Sequence, residues 1–411
     1  MIKLKQQTNS RITIILMIVI IVLISILSPL QTFCADNTLI EIADDLNQTI
    51  VEELDNIDFS GLNDIVLEFQ QNDTNLFSLD NVKNKVYSII SGENAIEYTS
   101  FFSSLFSTII KKIIRYLPIL SLIVAVGVIS NLLGNIKSKF NEKSTGDLVH
   151  LVCFLSVVVV VIGMVSSLNA TTGKTISNMV NTMNVLFPIL LTLMIGTGAT
   201  ASAGVFQPIV AIFSTYIADF FKFLVMPLFL FSFVFGIISN LSDSIKLDKF
   251  NSFISSLFKW SVGLVFTLFF AMFAIQGISA GKFDSISIRT TKYTIKSYIP
   301  IMGGYLSDGM DLILASSVLI KNSIGLVGIL MILNIILSPI LEIAIFSIVM
   351  KLISAILQPM GNNKLSNFLS STSKTITMLS TCIIAIGFMF LVSVGLVMTT
   401  SNVVLWWEDI F

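Results

Sequence analysis

Two carboxylates and an amine make up the most chemically suggestive part of the sequence. Asp308 and Asp311 are three residues apart, which puts both on one face of a helical turn; Lys321 follows ten residues after Asp311, close enough to neutralise them where the chain folds back. They lie in a polar, glycine-rich stretch, residues 276–325, that opens on Gln276 and separates two very apolar segments of a chain with mean hydropathy +0.90. Within it Gly303, Gly304 and Gly309 would permit a re-entrant turn whose free backbone groups line a polar cavity. Charges at membrane depth are costly unless protein or water solvates them, so the stretch reads either as the lining of a solute path or as a loop standing in water. An earlier segment with Gly196, Gly198, Gly204 and Gln207 carries no charge, and its Ala199, Ala201, Ser202 and Ala203 suit packing against the first segment or plain helix packing.

The same residue types argue against catalysis. The stretch from Gly196 to Gly204 lacks the Gly-Lys-Ser/Thr that would make it a phosphate loop. His150 is the single histidine, and Cys34, Cys153 and Cys382 are scattered, so no nucleophile or metal site is expected. An intramembrane aspartyl protease needs its aspartates on two helices, whereas Asp308 and Asp311 share one. No catalytic residue, metal or cofactor is implied, and Asp219 with Lys222 and Glu342 with Lys351 read as ordinary pairs near an interface.

The elements that hold these residues follow from composition. With 54% hydrophobic and 12% charged residues and repeated long apolar runs, the chain is expected to be all-α: a polytopic helical membrane protein with about 8–9 spans or re-entrant segments. The runs are 116–133, 149–165, 185–203, 205–221, 224–241, 260–278, 312–333, 339–357 and 376–397, joined in two places by amphipathic connectors, 172–184 and 284–298. Residues 1–34 read as a signal peptide, with Lys3, Lys5 and Arg11 before an apolar run broken at Pro29; an uncleaved anchor is the other reading. Residues 35–100 hold 14 of the 25 acids and only two bases, and are expected to form a small acidic helical domain outside the cytoplasm. The polytopic part spans 101–411, preceded by an amphipathic helix at 98–115 that would lie in the membrane interface, with Lys111, Lys112 and Arg115 on its polar face. Its basic residues sit in short loops rather than one stripe, so no nucleic-acid partner is expected.

A tandem repeat, 140–250 and 250–365, is suggested by order. Pro188 and Pro300 are 112 residues apart, as are Pro227 and Pro339, and the run from Lys249 to Ser256 resembles that from Lys364 to Ser371. Each unit reads as basic loop, span, amphipathic connector, proline-led glycine-rich segment, span and basic loop. Transporters built this way place their sites where interrupted helices of the two units meet.

Two blocks carry a family resemblance. One runs from Phe187-Pro188-Ile189-Leu190-Leu191-Thr192-Leu193 through Gly198-Ala199-Thr200-Ala201-Ser202-Ala203 to Val205-Phe206-Gln207-Pro208. The other holds Gln276-Gly277, Arg289-Thr290, Lys292, Ile299-Pro300, Gly303-Gly304, Leu306-Ser307-Asp308, Asp311 and Leu319-Ile320-Lys321-Asn322. Together they resemble the stage III sporulation protein AE family. The resemblance implies an endospore former and a multi-pass protein of the mother-cell membrane facing the forespore. Its implied partners are the lipid bilayer, the other subunits encoded with it for a channel or secretion-like assembly, and a forespore-side partner. Two functions then remain open. In one the chain is a transporter-like or channel-lining subunit needed for forespore development; in the other it is a scaffold that docks other subunits. The candidate pathway or packing residues are Asp308, Asp311, Lys321, Asn322, Gln207, Gln276, Gly303, Gly304, Pro188 and Pro300.

Overall fold

A backbone surrounded by apolar groups has to pair its own N–H and C=O groups, so long apolar runs fold as helix. The computed structural model describes residues 38–71, 76–77, 79, 81–92, 98–137, 143–241, 247–277, 284, 287–288, 290–294 and 303–400, and their regular structure is helical throughout. The expected signal peptide, Pro300 and the C-terminal Trp406-Trp407 lie outside these residues. The chain divides into two compact units, Met1–Gln48 and Thr49–Phe411. Of the first, only the start of helix α1 (Thr38–Asp55) is described.

In the second unit α1 ends and is followed by α2 (Ser60–Gln71) and α3 (Val82–Ile90). Asp58 accepts the Ser60 N–H at 2.9 Å just before α2, and this hydrogen bonding with Ser60 holds its carboxyl below the usual carboxylate range. Asn81 caps α3 by accepting from Asn84 N–H. The long helices are α4 (Tyr98–Lys137), α5 (Lys143–Gly196), α9 (Asp248–Gly277), α10 (Gly303–Leu357) and α11 (Asn363–Thr400). Between α5 and α9 run α6 (Thr200–Ile212), the one-turn α7 (Ala218–Phe220) and α8 (Met226–Leu241), with π-helical turns at Phe213–Ile217 and Phe221–Val225.

Nine runs were expected, and the described residues gather into six helices long and apolar enough to cross a membrane. The difference has a local cause. The polar connector after residue 168 does not break α5, because its hydroxyls bond inside their own helix: Thr172 to Leu168 O at 2.9 Å, Thr175 to Thr171 O at 2.8 Å and Thr182 to Asn178 O at 2.9 Å. Pro188 and Pro339 are likewise absorbed within α5 and α10. Residues 98–115, expected as a separate interfacial helix, continue without a break into the first span as the 40-residue α4.

The centre of the molecule is the α10–α11 hairpin. Its turn passes through Gly361, whose φ of 84° suits glycine. Serines spaced by seven residues on each helix meet in two reciprocal pairs. Ser354 and Ser366 approach to 3.0 Å between hydroxyls, with each hydroxyl also donating to the other residue's carbonyl at 2.8 and 2.9 Å. Ser347 and Ser373 do the same at 2.8 Å, 3.1 Å and 2.9 Å. Small side chains let the two backbones come close, and the mutual bonds satisfy every hydroxyl in an apolar setting. Farther from the turn, a Cβ added at Gly387 would stand 3.1 Å from Ile336, and one at Gly325 would clash with Met398 at 2.5 Å. The helices are therefore tightly apposed along their length.

Other helix ends collect near that turn. A Cβ at Gly127 of α4 would meet Leu357 at 2.3 Å, Phe154 of α5 packs on Phe368 with ring centres 5.4 Å apart, and Gly236 of α8 lies beside Ser371 and Asn251. So the ends of α4, α5, α8, α9 and α10 that flank the basic connections lie together. Toward the opposite end, residues of the acidic region pack on the long helices: Leu62, Val66, Leu79, Val82 and Val86 are buried, Gly61 lies against Val185, and Asn334 of α10 accepts the N–H groups of Leu76 and Phe77 at 2.9 and 3.0 Å while donating to Phe77 O. Within the bounds read as two repeat units, the 54-residue helix lies near the start of the first and the 55-residue helix near the end of the second, with Pro188 inside α5.

The serine pairs make a graded prediction. Ser347→Ala should cost roughly 0.6 kcal/mol, the typical value for such a bond, whereas Ser347→Leu forces the helices apart and should cost about 1–3 kcal/mol. Thermal unfolding of the detergent-solubilised protein measures both; equal effects would mean that the pair does not set the spacing.

Candidate functional site

Met194-Ile195-Gly196-Thr197-Gly198 carries an apolar helix into two glycines, and α5 ends there in a left-handed cap. Gly198 has φ 78°; its N–H donates to Ile195 O at 2.9 Å and that of Ala199 to Met194 O at 3.0 Å, the paired bonds of a Schellman motif. Thr197 Oγ1 donates to Met194 O at 2.8 Å. A Cβ on Gly198 would stand 2.7 Å from Ile288, so residue 198 needs glycine for conformation and for space.

The chain restarts as α6, whose first N–H groups would be orphaned in this apolar surrounding. Asp284 supplies the partner. Its side chain is buried, with Oδ1 accepting from Ala201 N at 2.8 Å and Oδ2 from Ser202 N at 3.1 Å and from the Ser202 hydroxyl. A carboxylate at a helix N-terminus gains from charge-assisted bonds and from the helix dipole together.

Lys321 performs the complementary task. It is fully buried on α10, and its Nζ donates to Val397 O at 3.3 Å and Met398 O at 2.9 Å. Helix α11 is described to Thr400, so these are carbonyls of its last described turn, where a cation suits the negative end of the dipole. The break and this cap share one end of the molecule: a Cβ added at Gly196 would stand 3.8 Å from Ser317 Oγ, one turn from Lys321 on α10. Ser316 and Ser317 in turn donate to the Glu53 carboxylate at 3.1–3.2 Å.

The residues singled out from sequence are thus placed as follows. Lys321 meets the carbonyls of α11, and Asp311 forms an ion pair with Lys292. Gly303, Gly304 and Gly309, read from sequence as permitting a re-entrant turn, lie within helix α10, and the described left-handed interruption falls at Gly198. Asp308 lies in the first turns of α10 and Gln276 in the last turn of α9; their side chains are outside the described residues. Gln207 is exposed on α6, Asn322 is half-buried on α10, and Pro188 lies two turns before the end of α5. Glu342 does not pair with Lys351, since nine residues put the two on opposite sides of a helix. It accepts instead from Lys112 Nζ at 3.0 Å and Tyr116 Oη at 3.1 Å, with Arg115 at 3.7 Å. Lys222 bonds the Ser177 hydroxyl at 2.7 Å rather than Asp219, which is exposed.

Asp284 and Glu53 were missed because nothing local marks them; their partners lie 83 and 263 residues away. The break at Gly198 did carry a signal, a glycine just past an apolar helix followed by Ala-Thr-Ala-Ser. Among the described residues, no group of three or more His, Cys, Asp or Glu gathers to hold a metal.

The architecture is that of a multi-pass helical membrane protein whose buried charges close helix ends. The sequence model of the stage III sporulation protein AE family matches residues 81–401, so the chain belongs to that family, which implies a role in sporulation. The stage III sporulation protein AE of Bacillus subtilis (strain 168) is 22% identical over 320 residues, covering 78% of this chain and 80% of that relative. No solved structure matches.

Removing the α6 cap should be costly. Asp284→Ala leaves three donors unpaired, for a loss of about 1–3 kcal/mol, and Asp284→Asn, which keeps one acceptor oxygen, should lose less. Gly198→Ala should destabilise by a similar ~1–3 kcal/mol, and Ile288→Ala in the same chain should recover the part due to contact but not that due to φ. Detergent thermal melts of the three chains separate the two contributions.

Proposed function

We propose that this protein serves sporulation as a membrane scaffold in an assembly between mother cell and forespore, positioning other subunits rather than conducting a solute itself. One observation carries the reading. Four of the charged groups that could have lined a path are each bound to another part of the chain: Asp284 to the start of α6, Lys321 to the end of α11, Asp311 to Lys292, and Glu342 to α4. Such groups hold helices in place. The family membership supports the sporulation setting, and the small helices α2 and α3, packed on α5 and α10, offer a surface beside the long helices.

A channel-lining role is the second reading, favoured by the interruption at Gly198. Discontinuous helices in transporters present their ends to a solute. Here those ends face the protein's own carboxylate, which is why the scaffold comes first.

Lys321→Met distinguishes the two. Methionine fills the space, and deleting a buried charge offsets much of the lost bonding. On the scaffold reading sporulation frequency should follow protein abundance, both staying within about two- to three-fold of the native level. Normal abundance with sporulation reduced by about a hundred-fold or more would show that the charge itself is needed and would favour a path. Immunoblots of sporulating cells beside heat-resistant spore counts provide the two readouts.

A further inference from the structure

The open face of α5 changes character partway along the helix. From Leu151 to Ile162 its exposed side chains are Leu151, Val152, Leu155, Val159 and Ile162, with Ser156 turning its hydroxyl back to Val152 O at 2.9 Å. From Lys174 to Thr192 they are Lys174, Asn181, Asn184, Pro188 and Thr192. A face that meets lipid is apolar and one that meets water is polar, so α5 passes from one solvent to the other near Lys174.

The neighbouring helices carry charges at the same level. A Cβ added at Gly196 would approach Ser317 and one at Gly328 would approach Leu186, so α5 and α10 run antiparallel in step, and Lys174 stands within one turn of the level of Glu342. Glu342 meets Lys112 and Arg115 of α4, and Lys222, in the run into α8, meets Ser177 one turn past Lys174. On α9, Lys259 lies one turn past Ser255, which is 3.4 Å from Ser232 of α8. Lys374 of α11 adjoins Ser373, the partner of Ser347. Each of the six helices long enough to cross a membrane thus places a charge in one band, ~15 Å deep.

The two sides of the band differ. Toward the α10–α11 turn, apolar faces are open: Ile348, Leu352 and Ile356 of α10 and Leu230, Phe231 and Val234 of α8. Lys351 is the exception there, and its stem must run along α10 to reach water. The run from Lys222 to Leu241 spans ~29 Å and that from Arg115 to Lys137 ~33 Å, each close to the ~30 Å hydrocarbon core. Away from the turn α10 is enclosed by protein, with every residue from Ile320 to Ile343 buried or half-buried. The small acidic helices pack at that end: Gly61 lies against Val185 and Glu53 bonds Ser317, while Glu52, Asp55, Asp58 and Asp64 beside them are exposed. Exposed carboxylates need water. Apolar side chains are open on this side too, Phe102, Val205 and Phe270 among them, but exposed Ser103, Gln207 and Thr267 interleave with them.

We infer that the bilayer covers only the half of the molecule between the α10–α11 turn and the charged band, and that the half holding the Gly198 break, Asp284 and Lys321 stands beyond the membrane. The band then sits at headgroup level, where Trp260, 67% exposed and next to Lys259, serves as an interfacial aromatic. Helix α5 crosses once and continues for ~33 Å from Lys174 to Gly196 outside the lipid. The inference is independent of the scaffold reading. It takes the helix break away from the bilayer midplane, where transporters place their interrupted helices.

The test uses the full-length chain with Cys34, Cys153 and Cys382 replaced by serine, made without other sporulation proteins, in membranes opened by freeze–thaw so that both faces meet the reagent. Single cysteines are placed along the open face of α5: Val159→Cys and Ile162→Cys on the turn side, Asn181→Cys and Thr192→Cys beyond the band. A charged, water-soluble maleimide attacks only where a thiolate and water are both present. Asn181→Cys and Thr192→Cys should react at least about ten-fold faster than Val159→Cys and Ile162→Cys, and all four should react alike in SDS. Equal rates for the two pairs in membranes would overturn the inference. The reverse order would also overturn it, because the bilayer would then cover the other half. Either failure, with sporulation of the Lys321→Met strain still following abundance, leaves the scaffold reading in place.

Discussion

A helix that ends inside an apolar interior leaves about four backbone groups without partners, and neither lipid nor a hydrocarbon core can supply them. This constraint governs the end of the molecule where α5 stops and α6 starts, beside the last described turn of α11. The α5 carbonyls are closed by the turn at Gly198 and the α6 N–H groups by Asp284, while Lys321 donates to two α11 carbonyls. The signs are those that the helix dipole prefers, anion at the N-terminus and cation at the C-terminus. Two buried charges that would each be costly alone thus become the means by which helix ends can be packed at all.

The consequence spreads through the packing. Because Lys321 ties α10 to the last turn of α11, and the serine pairs tie the same helices near their turn, the hairpin is fixed at both extremities. Asp284 brings its own segment onto the α5–α6 break, where Ile288 fills the space that a side chain on residue 198 would occupy. Glu53 joins this end to α1 through Ser316 and Ser317. Polar groups here are few, but each joins elements distant in sequence, so their removal loosens arrangement more than local structure.

Sequence revealed the helical membrane character, because apolar runs and their spacing are local properties. Lys321 was visible as an unusual charge, and Gly198 carried a readable cap signal. The bonding partners were not legible. A carboxylate can meet any orphaned helix end, and the choice of α6 for Asp284 or of Glu342 for Lys112 depends on which helices become neighbours. The continuity of α5 was hidden for a related reason: a Thr- and Ser-rich connector looks like a loop when its hydroxyls are assumed to seek water, yet Thr172, Thr175 and Thr182 bond their own helix. Helicity there follows from where the hydroxyls find acceptors, which composition does not state.

Helices of 54 and 55 residues, at ~1.5 Å each, reach ~80 Å, well beyond what one crossing requires. Apolar sequence past the bilayer is tolerable only where protein covers it. For α10 that cover is internal: α11, α5 and the small helices α2 and α3 surround it, and Asn334 is buried by clasping the 76–77 backbone. Helix α4, at 40 residues, also exceeds one crossing but is less covered, and Phe102 and Phe106 stay open. The two helices thus differ in cover: α10 finds its own within the chain, whereas α4 leaves much of its apolar face exposed.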